Sequence, residues 1–186
     1  MSTSWHVSAH VVVDPLPAGW RDRLAERLGQ RPRRIGPWAE LALYGARCCL
    51  DAAEETALPA GTALRVGSRL APMAAARAIA EQSRNGLPMP FAFMQSQPSQ
   101  MLAALSQHLA WQGDARFALC QDAHAALQLA QHDTGASHGL LVGWIEEDRR
   151  TEWWRLRGCE RNDLRRQSGC EDTRFSQPDP CNRGPA

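Results

Sequence analysis

Apolar and polar positions alternate along the chain with a period that changes from block to block. His6–Val13 (HVSAHVVV) is β-rich and ends at Asp14-Pro15, which predicts a strand. Trp20, Leu24 and Leu28 recur at helical spacing in a short segment over 19–28. Trp38, Leu41, Ala42, Gly45, Cys48, Cys49 and Ala52 do the same over 38–53, and Leu58-Pro59-Ala60-Gly61 breaks the pattern. Ala63–Gly67 is a brief strand. Pro72 opens an Ala-rich helix to about Gln82, since proline suits a first helical turn. A loop over 86–90 follows. Ser99 is placed to cap a helix bearing Met101, Leu102, Leu105 and Leu109. Ala115–Cys120 (ARFALC) reads as a buried strand. Asp122 reads as the N-cap of a helix over 123–131. Gly139–Ile145 (GLLVGWI) is the most apolar strand and stops at Glu146-Glu147-Asp148, and Trp153 and Trp154 fall in a last strand.

Strands separated by helices predict an α/β protein with parallel pairing and a sheet covered by helices. At 186 residues, 44% hydrophobic and 22% charged, the chain suits one soluble domain, or one domain and a tail. Its character changes near Asp148. Residues 1–148 carry 12 Arg against 14 acids, a net of −2; residues 149–186 carry 9 Arg against 6 acids, a net of +3. From Arg161 on, aliphatics are too few to offset the entropy of ordering. The expected division is a domain over 1–148 and an Arg-rich tail over 149–186, with a last strand to about 157 and disorder beyond.

Charge and composition also exclude chemistry. A net charge of +1 argues against a chain-wide grip on nucleic acid or an acidic membrane. No apolar run approaches the roughly 18 residues of a membrane span. The first residues lack the basic and apolar regions of a secretion signal, so the expected location is the cytoplasm. All 21 basic residues are Arg, which rules out a lysine Schiff base and a P-loop lysine. The six cysteines contain no CxxC pair and do not form a disulfide framework. Vicinal Cys48-Cys49 falls in a helical pattern and reads as core filler.

Several segments, taken in order, carry a resemblance. They are Arg33-Arg34 followed by Trp38, Leu41-Ala42-Leu43 and the Ala/Cys helix; Val66-Gly67-Ser68; Phe93–Ser99 (FMQSQPS); Gly113, 14 residues after Ser99; and Gly139–Asp148. In that order the chain resembles the N-terminal half of β-ketoacyl synthases over roughly residues 5–148. It looks most like the truncated, chain-length-factor type encoded with aryl polyene and xanthomonadin-like pigment pathways. The resemblance implies the N-terminal half of a thiolase-like fold, a mixed, mainly parallel sheet of about five strands flanked by helices. The helix over Met101–Leu109 and the strand over 115–120 are expected in its middle. It also implies that Ala115, Arg116, Phe117, Ala118 and Leu119 form a partner-facing edge, because the strand before the nucleophile pairs across the dimer in that family. The partners implied are a full-length ketosynthase, as a heterodimer, and an acyl carrier protein. No cofactor is implied.

Cys120 is the candidate nucleophile. Ketosynthases place a cysteine between a strand and a helix whose N-terminus stabilises thiolate, and Cys120, Ala126 and Ala130 fit a spacing common there. Against it, Asp122-Ala123 stands where the family has Ser-Gly. Ungapped counting from Ser99 and Gly113 puts the catalytic slot nearer Asp122. An anionic Asp122 also disfavours thiolate. The two histidines that complete a ketosynthase site belong to the C-terminal half, on motifs absent from this chain, and decarboxylative condensation needs donors that a lone thiol does not supply. The residues therefore favour a small buried thiol over an acyl acceptor, and a non-catalytic subunit over an active synthase.

The other candidates are weaker. His108, His124, His132 and His138, and separately Cys159, Cys170 and Cys181, lack the ligand spacing of a metal site. The Arg-rich run from Arg149 to Arg166, with Trp153 and Trp154, could stack bases or attract an acidic carrier protein. Its acids, Glu152 and Glu160 among them, favour a solvated segment, and nucleic acid is not the expected partner.

Overall fold

A computed structural model describes residues 5–86, 90–132, 136–147 and 149–158. The expected disordered tail over 161–186, with Cys159, Cys170 and Cys181, lies outside the described residues. Five strands and six helices follow in the order β1 (Trp5–Val13), α1 (Trp20–Leu28), α2 (Pro37–Ala52), β2 (Ala63–Ser68), α3 (Met73–Arg84), α4 (Pro90–Gln95), α5 (Pro98–His108), β3 (Ala115–Leu119), α6 (Ala123–Gln131), β4 (Leu140–Glu146) and β5 (Arg150–Gly158).

The sheet order is β1-β5-β4-β2-β3. β2 pairs in parallel with β3 and β4, while β5 pairs antiparallel with β4 and β1. Four strands thus point one way and β5 the other. The ladders divide evenly between the two types, because a short turn joins β4 to β5 and only antiparallel neighbours can be joined so closely. β3 is at one end of the sheet and β4 is central. The expectation that the 115–120 strand lies in the middle is therefore corrected: β3 is the end strand of the sheet among the described residues.

α2 lies across β1, β5 and β4, α5 lies beside it over β3, and α6 covers β4 and β2 on the opposite face. β4 accordingly buries both faces: Leu141 and Ile145 toward α2, Leu140, Val142 and Trp144 toward α6. That explains its continuous apolar run. Trp153 of β5, fully buried, turns its ring over Gly143 of β4; a Cβ on Gly143 would stand 2.6 Å from three ring carbons. Gly45 of α2 faces the same indole, so both glycines make room for one tryptophan. Cys48 and Cys49 are buried in this layer, as expected of core filler.

A buried ion pair ties the loop after α2 to β5. Arg155, 1% exposed, donates from Nε to Glu55 Oε2 (2.7 Å) and from Nη2 to Oε1 (3.1 Å). Its remaining donors reach the carbonyls of Leu156, His138 and Leu140. Trp153, Trp154 and Arg155 are thus interior groups, which removes them from any solvent-facing Arg/Trp surface.

Candidate functional site at the open edge of the sheet

The site is built from β2, β3 and α6. Asp122 caps α6, its Oδ1 accepting from the Ala125 amide at 2.8 Å. The helix then places Ala123, Ala126 and Ala130 inward against the sheet. Gly67 of β2 lies under it, where an added Cβ would come within 2.8 Å of Ala126 Cβ and 3.3 Å of Cys120 Sγ. The small residues spaced along α6 therefore allow close approach to a strand that has no side chain at the contact. By contrast, Ser99 does not cap α5. The N-cap is Gln97 without a side-chain bond, and Pro98 opens the helix. Phe93–Gln95 belong to α4, a short helix the sequence pattern did not separate.

Beside α6, the strands β2 and β3 floor an open cavity of about 550 Å³. Arg65, Gly67, Arg116, Ala118, Cys120 and Leu129 are among the residues that line it. α6 rests on β4 and β2, so the cavity extends over β3 toward the sheet's open edge. Alternation along β3 sends Phe117 to the other face, where it meets Trp38 edge-on at 5.7 Å. Arg116 is held by Asp114, with Nη2–Oδ2 at 2.9 Å, and the same carboxylate binds Arg65.

The edge has a definite hydrogen-bond pattern. The Leu64 amide donates to Asp114 O and the Cys120 amide donates to Ser68 O. In the parallel register of Leu64 with Ala115 and Val66 with Phe117, Arg116 and Ala118 also turn their backbone groups toward β2. The N–H and C=O groups of Ala115, Phe117 and Leu119 therefore point away from the sheet. Leu119, 71% exposed, ends this row, and exposed Leu129 stands across the cavity on α6. The strand is not the buried one its apolar composition suggested, because among the described residues its single neighbour in the sheet is β2.

Cys120 sits at the end of β3, just before the Asp122 cap, at the cavity wall. Burial, and then the charge of Asp122, push its thiol up from the ordinary value. Both effects disfavour the thiolate, the form in which a cysteine is a nucleophile. Cys49 is pushed up to about 12, burial being the main cause. His132 also lines the cavity, but at the far end of α6 from Cys120. A helix of nine residues spans about 13 Å, so the two are not a hydrogen-bonded pair. His124 instead contacts Gln128 at 2.9 Å. Among the described residues, no group of three or more His, Cys, Asp or Glu could hold a metal ion. No helix among them is long and apolar enough to cross a membrane.

No family model matches the sequence, and no curated protein matches it. Solved structures do match the fold. One belongs to "AntDE:AntF (apo): type II PKS acyl-carrier protein in complex with its ketosynthase bound to the hexaketide", with a TM-score of 0.60 and 13% identity. The match covers 89% of this chain and 65% of that one. Another belongs to a ketosynthase (ApeO) in complex with its chain length factor (ApeC) from Xenorhabdus doucetiae. There the TM-score is 0.54 and the identity 12%, covering 84% of this chain and 79% of that one. At such identities the likeness is one of architecture, and the chain has a ketosynthase-like fold built on a five-stranded mixed sheet.

Proposed function

We propose that this protein is a non-catalytic ketosynthase-like subunit that docks on a full-length ketosynthase through β3, in a polyketide-type pathway such as aryl polyene pigment synthesis. The observation that carries the reading is the ladder of Ala115, Phe117 and Leu119, left open among the described residues, at the edge of the sheet. An unpaired apolar edge is an association site unless something covers it, and strand addition gives affinity through backbone hydrogen bonds. The neutral thiol of Cys120 supports a role without chemistry of its own. The partner would supply the nucleophile and the enolate-stabilising donors, and an acyl carrier protein would deliver the substrate to the pair in the cytoplasm.

The test mixes the purified chain with a full-length ketosynthase from the same genome and follows sedimentation. A complex of one chain with one ketosynthase is expected. It is lost in Leu119→Pro, which removes an outward N–H from an exposed position. Absence of any complex at tens of micromolar overturns the reading. Intact mass after incubation with an acyl-carrier-protein thioester checks the catalytic side, with no adduct expected on Cys120.

A further inference from the structure

We propose that the helical arm made by α3 and α4 anchors the protein at an anionic lipid surface. Phe91, Phe93 and Met94 enter the acyl boundary there, and arginines of the arm meet the headgroups. The proposal stands apart from the docking edge at β3.

The arm leaves the sheet after β2, and none of its described residues belongs to either buried cluster of the domain. Neither helix has a buried residue. α3 packs chiefly against α4, and α4 leans on α5. The first turn of α3 is tied down by the Ala74 amide, which donates to Glu147 Oε2 at 2.8 Å. A 12-residue helix with so little packing is marginal in water. The arm therefore gains order from whatever covers it.

The exposed apolar groups of the arm indicate a fluid cover. Phe91 is 54% exposed and Phe93 59%, and Met94 is exposed with them. Such a cluster marks a protein or a membrane contact. Successive helical residues turn by about 100°, so Phe91 and Phe93 lie about 200° apart, on opposite flanks of α4. A rigid protein face covers one flank of so short a helix and leaves the other ring in water. A fluid acyl layer covers both.

Charge selects the kind of surface. Arg34 shares a small recess with Met94 and Gln95 of α4, and Arg33 beside it is exposed. Arg77 and Arg84 are exposed and seven apart, so they share one face of α3. Against these four arginines stand Glu81 on α3 and Glu147 at its first turn. Long arginine side chains lay their stems along apolar surface and keep the charge in water. Bulky apolar groups flanked by cations are the composition of elements that lie in an anionic interface. With a chain-wide net charge of only +1, the attraction is local to the arm.

Co-sedimentation with vesicles tests this. One set is phosphatidylglycerol and phosphatidylcholine in equal parts, the other phosphatidylcholine alone. The native chain is expected to sediment with the anionic set, more weakly with the neutral set, and less as salt is raised. Phe91→Ser combined with Phe93→Ser changes two exposed positions, so the native melting temperature is expected to hold. Its binding should fall at least about tenfold, the worth of one ring at the low end of its transfer range. Arg77→Gln combined with Arg84→Gln should weaken binding to the anionic set at least about fivefold, the worth of one cation near such a surface. Val12→Thr, exposed on β1, leaves binding unchanged. A folded native chain that ignores the anionic vesicles overturns the proposal. So does a serine double variant that binds them normally, or native binding that is equal on both sets. If the serine variant loses the ketosynthase complex while the native chain ignores vesicles, the arm is a protein contact and the lipid reading falls. Leu119→Pro is expected to bind vesicles as the native chain does, so failure of the β3 reading and failure of this one are read separately.

Discussion

Removing Glu55 should destabilise this protein strongly, because of what it leaves behind. Arg155 is 1% exposed, and Glu55 is its only carboxylate partner among the described contacts. The Glu55→Ala variant keeps the guanidinium buried with three carbonyl acceptors and no counter-charge. Breaking a buried pair from one side costs about 3–5 kcal/mol. The Glu55 side chain is 13% exposed, so water can enter the vacated space, which places the expected loss near the lower figure. For a domain of this size each kcal/mol moves the melting temperature by about 2–4 °C, giving a drop of roughly 6–12 °C. Arg155→Met removes the buried charge itself and should cost less, since Glu55 keeps Arg157 at 2.9 Å and some access to water. The double variant should then be more stable than Glu55→Ala alone. Urea titrations of the four proteins, monitored by tryptophan fluorescence, give the cycle. A loss below about 1 kcal/mol in Glu55→Ala, the range of an exposed pair, or a double variant less stable than both singles, refutes the reasoning.

Three further outcomes are expected. Burial and Asp122 both hold Cys120 in the thiol form, so Asp122→Asn, which keeps a capping side chain, should speed its alkylation by iodoacetamide at neutral pH; an unchanged rate, followed by peptide mapping, counts against the electrostatic account. Burial pushes the Glu152 carboxyl up, but hydrogen bonds from His10 and Arg150 outweigh it and hold the group below its usual range. The stability it adds is therefore present above its unfolded value, near 4.5, and is lost as pH falls through the lower native one. Glu152→Gln should flatten the acid limb of a stability–pH curve, and an unaltered limb would show that the pair contributes nothing. Gly143→Ala forces a methyl into the Trp153 ring, which the surrounding core cannot move, and should cost about 1–3 kcal/mol by thermal denaturation; full native stability would show that the indole has room to shift.

The open edge and its cavity were only half legible from residues. Ala115–Leu119 is apolar enough to pass for a central strand, and periodicity cannot report how many neighbours a strand has. Its place at the end of the sheet comes from the long-range pairing of β4 with β2 and β5, which moves the centre of the sheet to β4. The Asp122 cap was legible because a cap is a local bond between residues three apart. The Ser99 cap failed for the same local reason, Pro98 having taken the first position of the helix. α4 was missed because six residues are too few to show a helical period.

By itself the sequence determined the alternation of elements, the α/β class and the absence of lysine chemistry. All follow from spacing, composition and turn residues within a few positions of each other. It also marked Cys120 and Asp122 as neighbours whose charges oppose thiolate. The tertiary structure alone decided that the Trp153, Trp154 and Arg155 cluster is interior. It alone turned Ala115, Phe117 and Leu119 outward and placed Gly67, Ala118 and Leu129 around one cavity. These depend on which strand lies beside which, a matter of contacts between residues tens of positions apart, and no local pattern encodes that choice.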